Sequence, residues 1–265
     1  MKTEGLPTIR VGTLDVACRV EGPQGAPALL LIHGVLADHR AWDGVAERLK
    51  DRFRIVRYDV RGHGGSSAPP APYTLEQLAD DVPPLLDALG LHQVHLAGTS
   101  MGGMIGQQVG IRHGKRLLSL TLANNAAQQG APAAWEQRIE VARRDGIEAL
   151  VEPTVQRWFT PRFLQQQPQE VERIRAIVRG TSVEGYAGCA TAIRNMAQLD
   201  QLAAIRVPTL VIVGSEDQAT PPAAGKQIAD AIAGAQLVTL PAAHQAAVEV
   251  PQAFCDAWLA FIARL

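Results

Sequence analysis

The segment VHLAGTSMGG, residues 94–103, ends an apolar run with three glycines arranged around one serine, Ser100. Glycine inside a regular strand or helix costs about 0.5–1 kcal/mol relative to alanine, so this density indicates a sharp turn or a close approach of another group. Residues 98–102 read GTSMG and fit G-x-S-x-G, which between a strand and a helix is typical of a turn that exposes a reactive serine. A phosphate-binding loop is disfavoured because no lysine follows the glycines.

Short apolar runs alternate with longer segments of helical spacing along the chain. The runs predict strands at 28–33, 54–59, 94–98, 117–124, 208–214 and 235–240, with helices at 41–50, 74–90, 104–114, 222–234 and 252–265. Several runs are apolar throughout, as strands covered on both faces are. The alternation predicts an α/β fold with a mostly parallel sheet and helices on both faces. Residues 8–11 and 14–20 are expected to form an antiparallel edge hairpin.

The alternation stops between residues 125 and 198, where four helical patterns follow one another without a convincing strand. These patterns cover 133–146, 147–159, 170–180 and 184–196. We therefore expect residues 1–124 and 199–265 to form the α/β core and residues 125–198 to form a helical cap inserted over the sheet.

Charge and composition exclude several classes of partner. The formal net charge of −1 gives no electrostatic reason to expect nucleic acid or an acidic membrane surface. The sequence contains no apolar run of membrane-spanning length, and its first residues lack the apolar centre of a signal peptide. Cys18, Cys189 and Cys255 are widely spaced and outside any metal or redox motif, so we expect reduced, buried thiols in a cytoplasmic protein. The sequence leaves the oligomeric state open.

A serine hydroxyl is a poor nucleophile until a base removes its proton. The G-x-S-x-G turn belongs to a fold that orders its partners serine, acid, histidine along the chain. Asp217 directly follows the strand predicted at 208–214, and His244 follows the last predicted strand, so both are expected at the same sheet edge as Ser100. Taken singly, Asp217 could be a helix cap and His244 a surface histidine. Glu216 is the rival acid, but neighbours on an extended segment point to opposite sides.

The same chemistry requires N–H donors for a developing oxyanion, and two loops can supply them. The first donor is the Met101 amide, and the second is expected from the loop after an early strand, where Val35 follows a His-Gly turn. His33 is expected to fix that loop rather than to act as a base. Asp59 and His63, in the loop after the next strand, are expected to anchor their own turn.

These residues resemble those of α/β-hydrolases, and within that group of 3-oxoadipate enol-lactonases. The likeness rests on RYDVRGHGGS, GTSMGGMIGQ, RLLSLTLANNAA, RWFTPRF, EGYAGCATAIR, RVPTLVIVGSEDQATPP and AAHQAAVEVP. RWFTPRF and EGYAGC, in the helical segment, point most narrowly to the lactonases. The resemblance implies a cofactor-free, metal-free hydrolase of aromatic-compound catabolism that opens an enol-lactone or a similar small ester.

The substrate's charge is the least determined property. An enol-lactone with a free carboxylate calls for an arginine able to hold it, but Gln128 stands where the lactonases often have one. Arg138, Arg157 and Arg162 remain in the insertion, and Arg138 and Arg157 are the preferred candidates for this role. Trp135 and Trp158 are candidate pocket walls. A general carboxylesterase acting on neutral esters is the alternative substrate class. Cofactor-free oxygenase or lyase chemistry and a ligand-binding receptor are further alternatives, because one fold supports many functions.

Overall fold

An eight-stranded sheet lies at the centre of the computed structural model, which describes residues 6–128 and 130–265. Its strands are β1 (Thr8–Val11), β2 (Leu14–Glu21), β3 (Ala28–Ile32), β4 (Arg54–Tyr58), β5 (Val94–Thr99), β6 (Leu117–Ala123), β7 (Thr209–Gly214) and β8 (Gln236–Leu240). Their spatial order is β1-β2-β4-β3-β5-β6-β7-β8. β1 and β2 form the antiparallel edge hairpin, β2 pairs antiparallel with β4, and all other pairs are parallel. The predicted fold class is confirmed.

The central strands are apolar because both of their faces are covered. Every residue of β3, β5 and β7 is buried, as expected for parallel strands between two helical layers. Each of the six runs predicted as strands agrees with an observed strand to within one residue at either end. Because β5, β6 and β7 are adjacent and parallel, their carboxyl ends meet at one edge of the sheet. The candidate site lies at this edge.

The helices lie where the periodicity predicts them, with three differences: one predicted helix is split, and two short helices, at 161–166 and 246–249, were not predicted. They are α1 (Asp43–Leu49), α2 (Leu75–Asp80), α3 (Val82–Ala88), α4 (Met101–Arg112), α5 (Pro132–Asp145), α6 (Glu148–Trp158), α7 (Pro161–Gln166), α8 (Pro168–Arg179), α9 (Val183–Arg194), α10 (Pro222–Ala231), α11 (Ala246–Glu249) and α12 (Pro251–Ile262). The single helix predicted at 74–90 is wrong, because the chain forms α2 and α3 instead. Pro83 and Pro84 cannot donate to the preceding turn but fit the first turn of a new helix.

Five helices, α5 to α9, separate β6 from β7, and we call residues 125–198 the helical insertion. Within it α5 packs against α9 and α6, and α6 packs against α8. The short helix α7 was not predicted. Buried residues of the insertion, such as Ile139 and Val155, belong to the same apolar cluster as Leu30 of β3. The insertion therefore shares a continuous apolar core with the sheet and its helices.

Two further sequence expectations concern thiols and membranes. Cys18, Cys189 and Cys255 are buried free thiols, and burial raises the pKa of Cys18 to about 12. Such thiols resist ionisation, which agrees with a structural role. None of the helices in the described ranges combines the length and the apolarity needed to cross a bilayer.

Candidate active site

Ser100 occupies a tight turn between β5 and α4. Its backbone has φ 53° and ψ −120°, which is unfavourable for a residue with a Cβ. The turn is held by the Ser100 amide, which donates to the Ala123 carbonyl of β6 at 2.9 Å. Since β5 ends one residue earlier and α4 begins one residue later, the serine lies at the sheet edge and at a helix N-terminus.

The glycines around Ser100 are required by close backbone contacts. A Cβ at Gly98 would lie 2.2 Å from the Gly102 carbonyl oxygen, and a Cβ at Gly102 would lie 2.1 Å from the Ile32 carbonyl oxygen. Neither contact can be relieved by moving a side chain, because both involve backbone atoms. The glycine density of residues 94–103 thus follows from the packing of the turn against β3 and α4.

His244 reaches Ser100 from the loop between β8 and α11. Its Nε2 lies 2.9 Å from the Ser100 Oγ, and its Nδ1 lies 2.9 Å and 3.1 Å from the two carboxylate oxygens of Asp217. All three side chains are buried. The structure therefore brings together the serine, histidine and aspartate that the sequence singled out, in one hydrogen-bonded chain.

Asp217 lies in the loop after β7 and is held by several donors. The Ala219 and Thr220 amides donate to its Oδ1 at 2.8 and 2.9 Å. The Thr220 hydroxyl and the Asn124 side-chain amide donate to its Oδ2 at 2.8 and 3.1 Å. These bonds fix the carboxylate in the position from which it contacts His244.

Burial alone would raise the pKa of Asp217. The charge of His244 and the hydrogen bonds from His244, Thr220 and Asn124 outweigh burial and lower that pKa to about 2. Asp217 is therefore ionised at neutral pH. The neighbouring Glu216 has an exposed side chain, whereas Asp217 is the acid that lies against the histidine.

The loop after β3 approaches Ser100 closely enough to place a second backbone donor beside it. A Cβ at Gly34 would lie 3.1 Å from the Ser100 Cβ, and Val35 lines the same cavity as Ser100. Leu36 has φ 61°, so the loop turns sharply just after Val35. Met101 is the first residue of α4, where amides have no partner within the helix. The geometry is compatible with the predicted pair of amide donors.

His33 and His63 fix this loop, as expected for His33. The Nε2 of His33 accepts the Val60 amide at 2.9 Å, and the Nε2 of His63 accepts the Leu36 amide at 3.1 Å. Burial lowers the pKa of both histidines, to about 3 for His63, so both are neutral acceptors. Each imidazole therefore ties the β3 loop to the loop after β4.

Asp59 anchors its own turn, as predicted. It accepts the amides of His39 and Gly65 and lies 2.8 Å from the His39 ring. Within the described residues, one group has metal-ligand spacing, Asp38, His39 and Asp59. The carboxylate of Asp38 is already bonded to Arg40. These groups form hydrogen bonds with their protein neighbours, and the absence of a cofactor stays a prediction.

A cavity of about 330 Å³ opens at Ser100 and His244. The four predicted substrate-binding residues all line it: Trp135, Arg138, Arg157 and Trp158. A smaller cavity of about 60 Å³ adjoins it and shares those four residues, adding Tyr186 and Thr154 to the wall. The helical insertion thus forms one wall of the cavity, and the sheet edge forms the other.

Within the described part of the chain, the two arginines of the cavity have no carboxylate partner, whereas most other arginines of the insertion do. Arg138 lies over the Trp135 ring at 5.1 Å. The Nε of Arg157 is buried and has no hydrogen-bond partner in the described part of the chain. Burial and the nearby charge of Arg138 lower the pKa of Arg157. In contrast, Arg179 of the same insertion is paired with Glu148.

Sequence reasoning missed several residues that support the site. Asn124 has φ 47° and bonds both Asp217 and the Ala243 carbonyl, and Thr220 bonds the same carboxylate. An Asn directly after a strand and a Thr three residues after an Asp are the available signals, since such residues favour turns. Neither signal indicates a partner 93 residues away, as Asn124 and Asp217 are.

The sequence pattern of the α/β hydrolase fold family matches residues 27–250, and the chain belongs to this family. Among curated proteins it is 36% identical to 3-oxoadipate enol-lactonase 2 of Acinetobacter baylyi, over 88% of this chain and 87% of that protein. Among solved structures it is similar to the enol-lactonase from Burkholderia xenovorans LB400, with 37% identity, coverage of 97% and 100%, and a TM-score of 0.95. A hydrolase from Pseudomonas aeruginosa PA01 is 41% identical, with 94% coverage of both chains and a TM-score of 0.91. The protein is therefore an α/β hydrolase related to enol-lactonases.

Proposed function

We propose that the protein is a serine hydrolase that cleaves a small carboxylic ester or lactone, with an enol-lactone like that of 3-oxoadipate as its substrate. The observation that carries this proposal is the hydrogen-bonded chain from Asp217 through His244 to Ser100, which opens into a cavity lined by two arginines that form no ion pair with any described residue. The relatives named as enol-lactonases support the substrate class.

In the proposed acylation step, the Ser100 Oγ attacks the carbonyl carbon of the ester. His244 takes the hydroxyl proton at Nε2 and then gives it to the leaving oxygen, as in other serine hydrolases. Asp217 holds the Nδ1 side of the ring and stabilises the imidazolium. The 2.9 Å separations on both sides of the ring support these roles.

The negative charge that develops on the carbonyl oxygen requires fixed donors. We assign the amides of Val35 and Met101 to this task, since both lie beside Ser100 and one of them begins a helix. Water activated by His244 then attacks the acyl-enzyme and releases the acid. No step of this reaction requires a metal or a cofactor.

The substrate's free carboxylate would be held by the arginines of the insertion. Arg157 has a buried guanidinium nitrogen that no described residue accepts from, and a guanidinium can hold a carboxylate through two parallel hydrogen bonds. Arg138 lies beside it in the same wall. A ligand carboxylate would offset the charge repulsion between these two cations.

The core, residues 1–124 and 199–265, thus supplies the chemistry, and the cap, residues 125–198, selects the substrate.

A general carboxylesterase acting on neutral esters is the second candidate. The apolar part of the cavity wall, which includes Val35, Trp135, Trp158 and Ile193, favours it. Such a wall can bind an uncharged acyl or alkyl group by burial alone.

Turnover of 3-oxoadipate enol-lactone and of p-nitrophenyl esters by the purified protein separates the two candidates. We expect kcat/KM to be higher for the enol-lactone than for a neutral ester of similar size. Hydrolysis of the neutral esters only would favour the carboxylesterase. No turnover of either class would contradict the hydrolase proposal and favour a receptor or a non-hydrolytic enzyme.

A further inference from the structure

Glu249, the last residue of α11, has an unusual set of partners for a carboxylate. It accepts hydrogen bonds from three uncharged donors: the Thr160 hydroxyl, the Thr160 amide at 3.4 Å and the Ala243 amide at 3.0 Å. A half-buried charge is costly unless its hydrogen bonds are satisfied. The three donors come from two segments that are more than eighty residues apart in the sequence.

Both of these segments belong to the candidate site. Ala243 directly precedes His244, and Thr160 follows Trp158 by two residues. A second bond joins the same segments, because the Gln245 amide donates to the Trp158 carbonyl at 3.1 Å. The Trp158 and His244 rings lie 6.5 Å apart. The residues on both sides of His244 are thus connected to the end of α6. Ala243 is connected to Thr160 through Glu249, and Gln245 is bonded directly to Trp158.

Glu249 also lines a separate hollow of about 710 Å³, which we call the outer hollow, together with Phe163. Thr160, Ala243 and His244 at the junction are themselves buried. Removing the Glu249 carboxylate would therefore leave the Ala243 amide and the Thr160 hydroxyl as buried groups without their partner, and such groups are costly.

We propose that Glu249 is a positioning residue that holds His244 in register with Ser100 and joins the base to the Trp158 wall of the cavity. The inference rests on the proposed function, since it assumes that His244 is the general base. Glu249 acts through the backbone of Ala243 and through Thr160, and it does not touch the reacting atoms.

Three substitutions test this role. Glu249→Met keeps the length of the side chain and removes both acceptor oxygens. Glu249→Gln keeps one oxygen for the Ala243 amide, and its NH₂ group can donate to the Thr160 hydroxyl, so it serves as the conservative variant. Glu47→Met is the matched control, because Glu47 lines the same hollow but pairs with Lys50 on the surface.

We expect Glu249→Met to lower kcat by roughly ten- to a hundredfold, since a displacement of about 1 Å in a catalytic group has effects of this size. Glu249→Gln should recover most of that loss, and Glu47→Met should behave as wild type. The loss in Glu249→Met should appear in kcat with KM nearly unchanged, because Glu249 lines the outer hollow and acts on the position of His244.

Thr160→Val provides an independent test if Glu249→Met folds poorly. It should lower kcat less than Glu249→Met, and in the Glu249→Gln background its effect should shrink, because both changes act on one hydrogen bond. Wild-type kcat in Glu249→Met would overturn the inference, as would a loss confined to KM or equal losses in the Met and Gln variants. Turnover that survives in Ser100→Ala would instead overturn the proposed function itself.

Discussion

Asp217 and His244 at the sheet edge and Arg157 in the helical insertion are held in opposite ways. At the sheet edge, both oxygens of Asp217 and both ring nitrogens of His244 have protein partners. In the insertion, the Arg157 Nε faces no protein acceptor among the described residues. A group whose hydrogen bonds are all made keeps a fixed geometry, whereas a buried donor without a protein partner can take one from a ligand or from water. Under the proposed function, the core therefore fixes the chemistry and the insertion fixes the choice of substrate.

Among substitutions at residues other than the nucleophile, the largest effect is expected at the acid of the core. Asp217→Asn should preserve the geometry but favour the wrong tautomer of His244, a loss of about 10⁴-fold in kcat by analogy with serine proteases. Steady-state kinetics on a p-nitrophenyl ester would measure it. Glu216→Gln is the control and should be mild, because Glu216 is exposed. If the two effects are reversed, Glu216 is the acid and the assignment of Asp217 is wrong.

The next effect concerns the insertion and should depend on the substrate. Arg157→Ala should cost about 1.5–3 kcal/mol of transition-state stabilisation for an acidic lactone, the scale of a hydrogen bond to a charged group. Arg138→Ala should show the same selectivity if that arginine shares the contact. For a neutral ester of similar size the losses should be small.

The control for this comparison is Arg162→Ala, because Arg162 lines the outer hollow and not the cavity at Ser100. It should leave kcat/KM unchanged on both substrates. Equal losses on acidic and neutral substrates in the Arg138 and Arg157 variants would contradict carboxylate binding and favour the general carboxylesterase.

The smallest effect is on stability at acid pH, and it should arise in the core. The pKa of Asp217 is lowered from 3.8 to about 2 in the folded protein, and so is that of Asp59. Their contribution is therefore fully present above pH about 4 and is lost as the pH falls toward 2, at about 2 kcal/mol per group. Urea unfolding at pH 6 and pH 3 should show a smaller loss for Asp217→Asn than for wild type. An equal loss would show that Asp217 does not contribute.

Much of the fold could be predicted because its signals are local. The β3, β5 and β7 runs are apolar since both faces of each strand are covered, and each was located to within one residue. The break between α2 and α3 is also a local property of Pro83 and Pro84, although the helical spacing on either side obscured it.

The candidate site was predictable only where a motif marked it. Ser100 has the G-x-S-x-G pattern, and His244 and Asp217 follow strands, so chain order was enough to select them. Glu249 has no such signal, because its contacts with Thr160 arise only when the insertion packs against the loop after β8. Helical spacing placed Arg138 beside Trp135, but it could not indicate that both line a cavity with Arg157, which is on another helix.

The most direct test of the account is the mass of the protein during turnover. A reaction with a p-nitrophenyl ester, quenched with acid within milliseconds, should contain protein that is heavier by the acyl group. Peptide mapping should locate that group on Ser100. In Ser100→Ala the adduct should be absent, and hydrolysis should fall by roughly 10⁶-fold, as for a nucleophile removed from another serine hydrolase. An adduct on a different residue, or unchanged turnover in Ser100→Ala, would contradict the central claim that this core serine is the nucleophile.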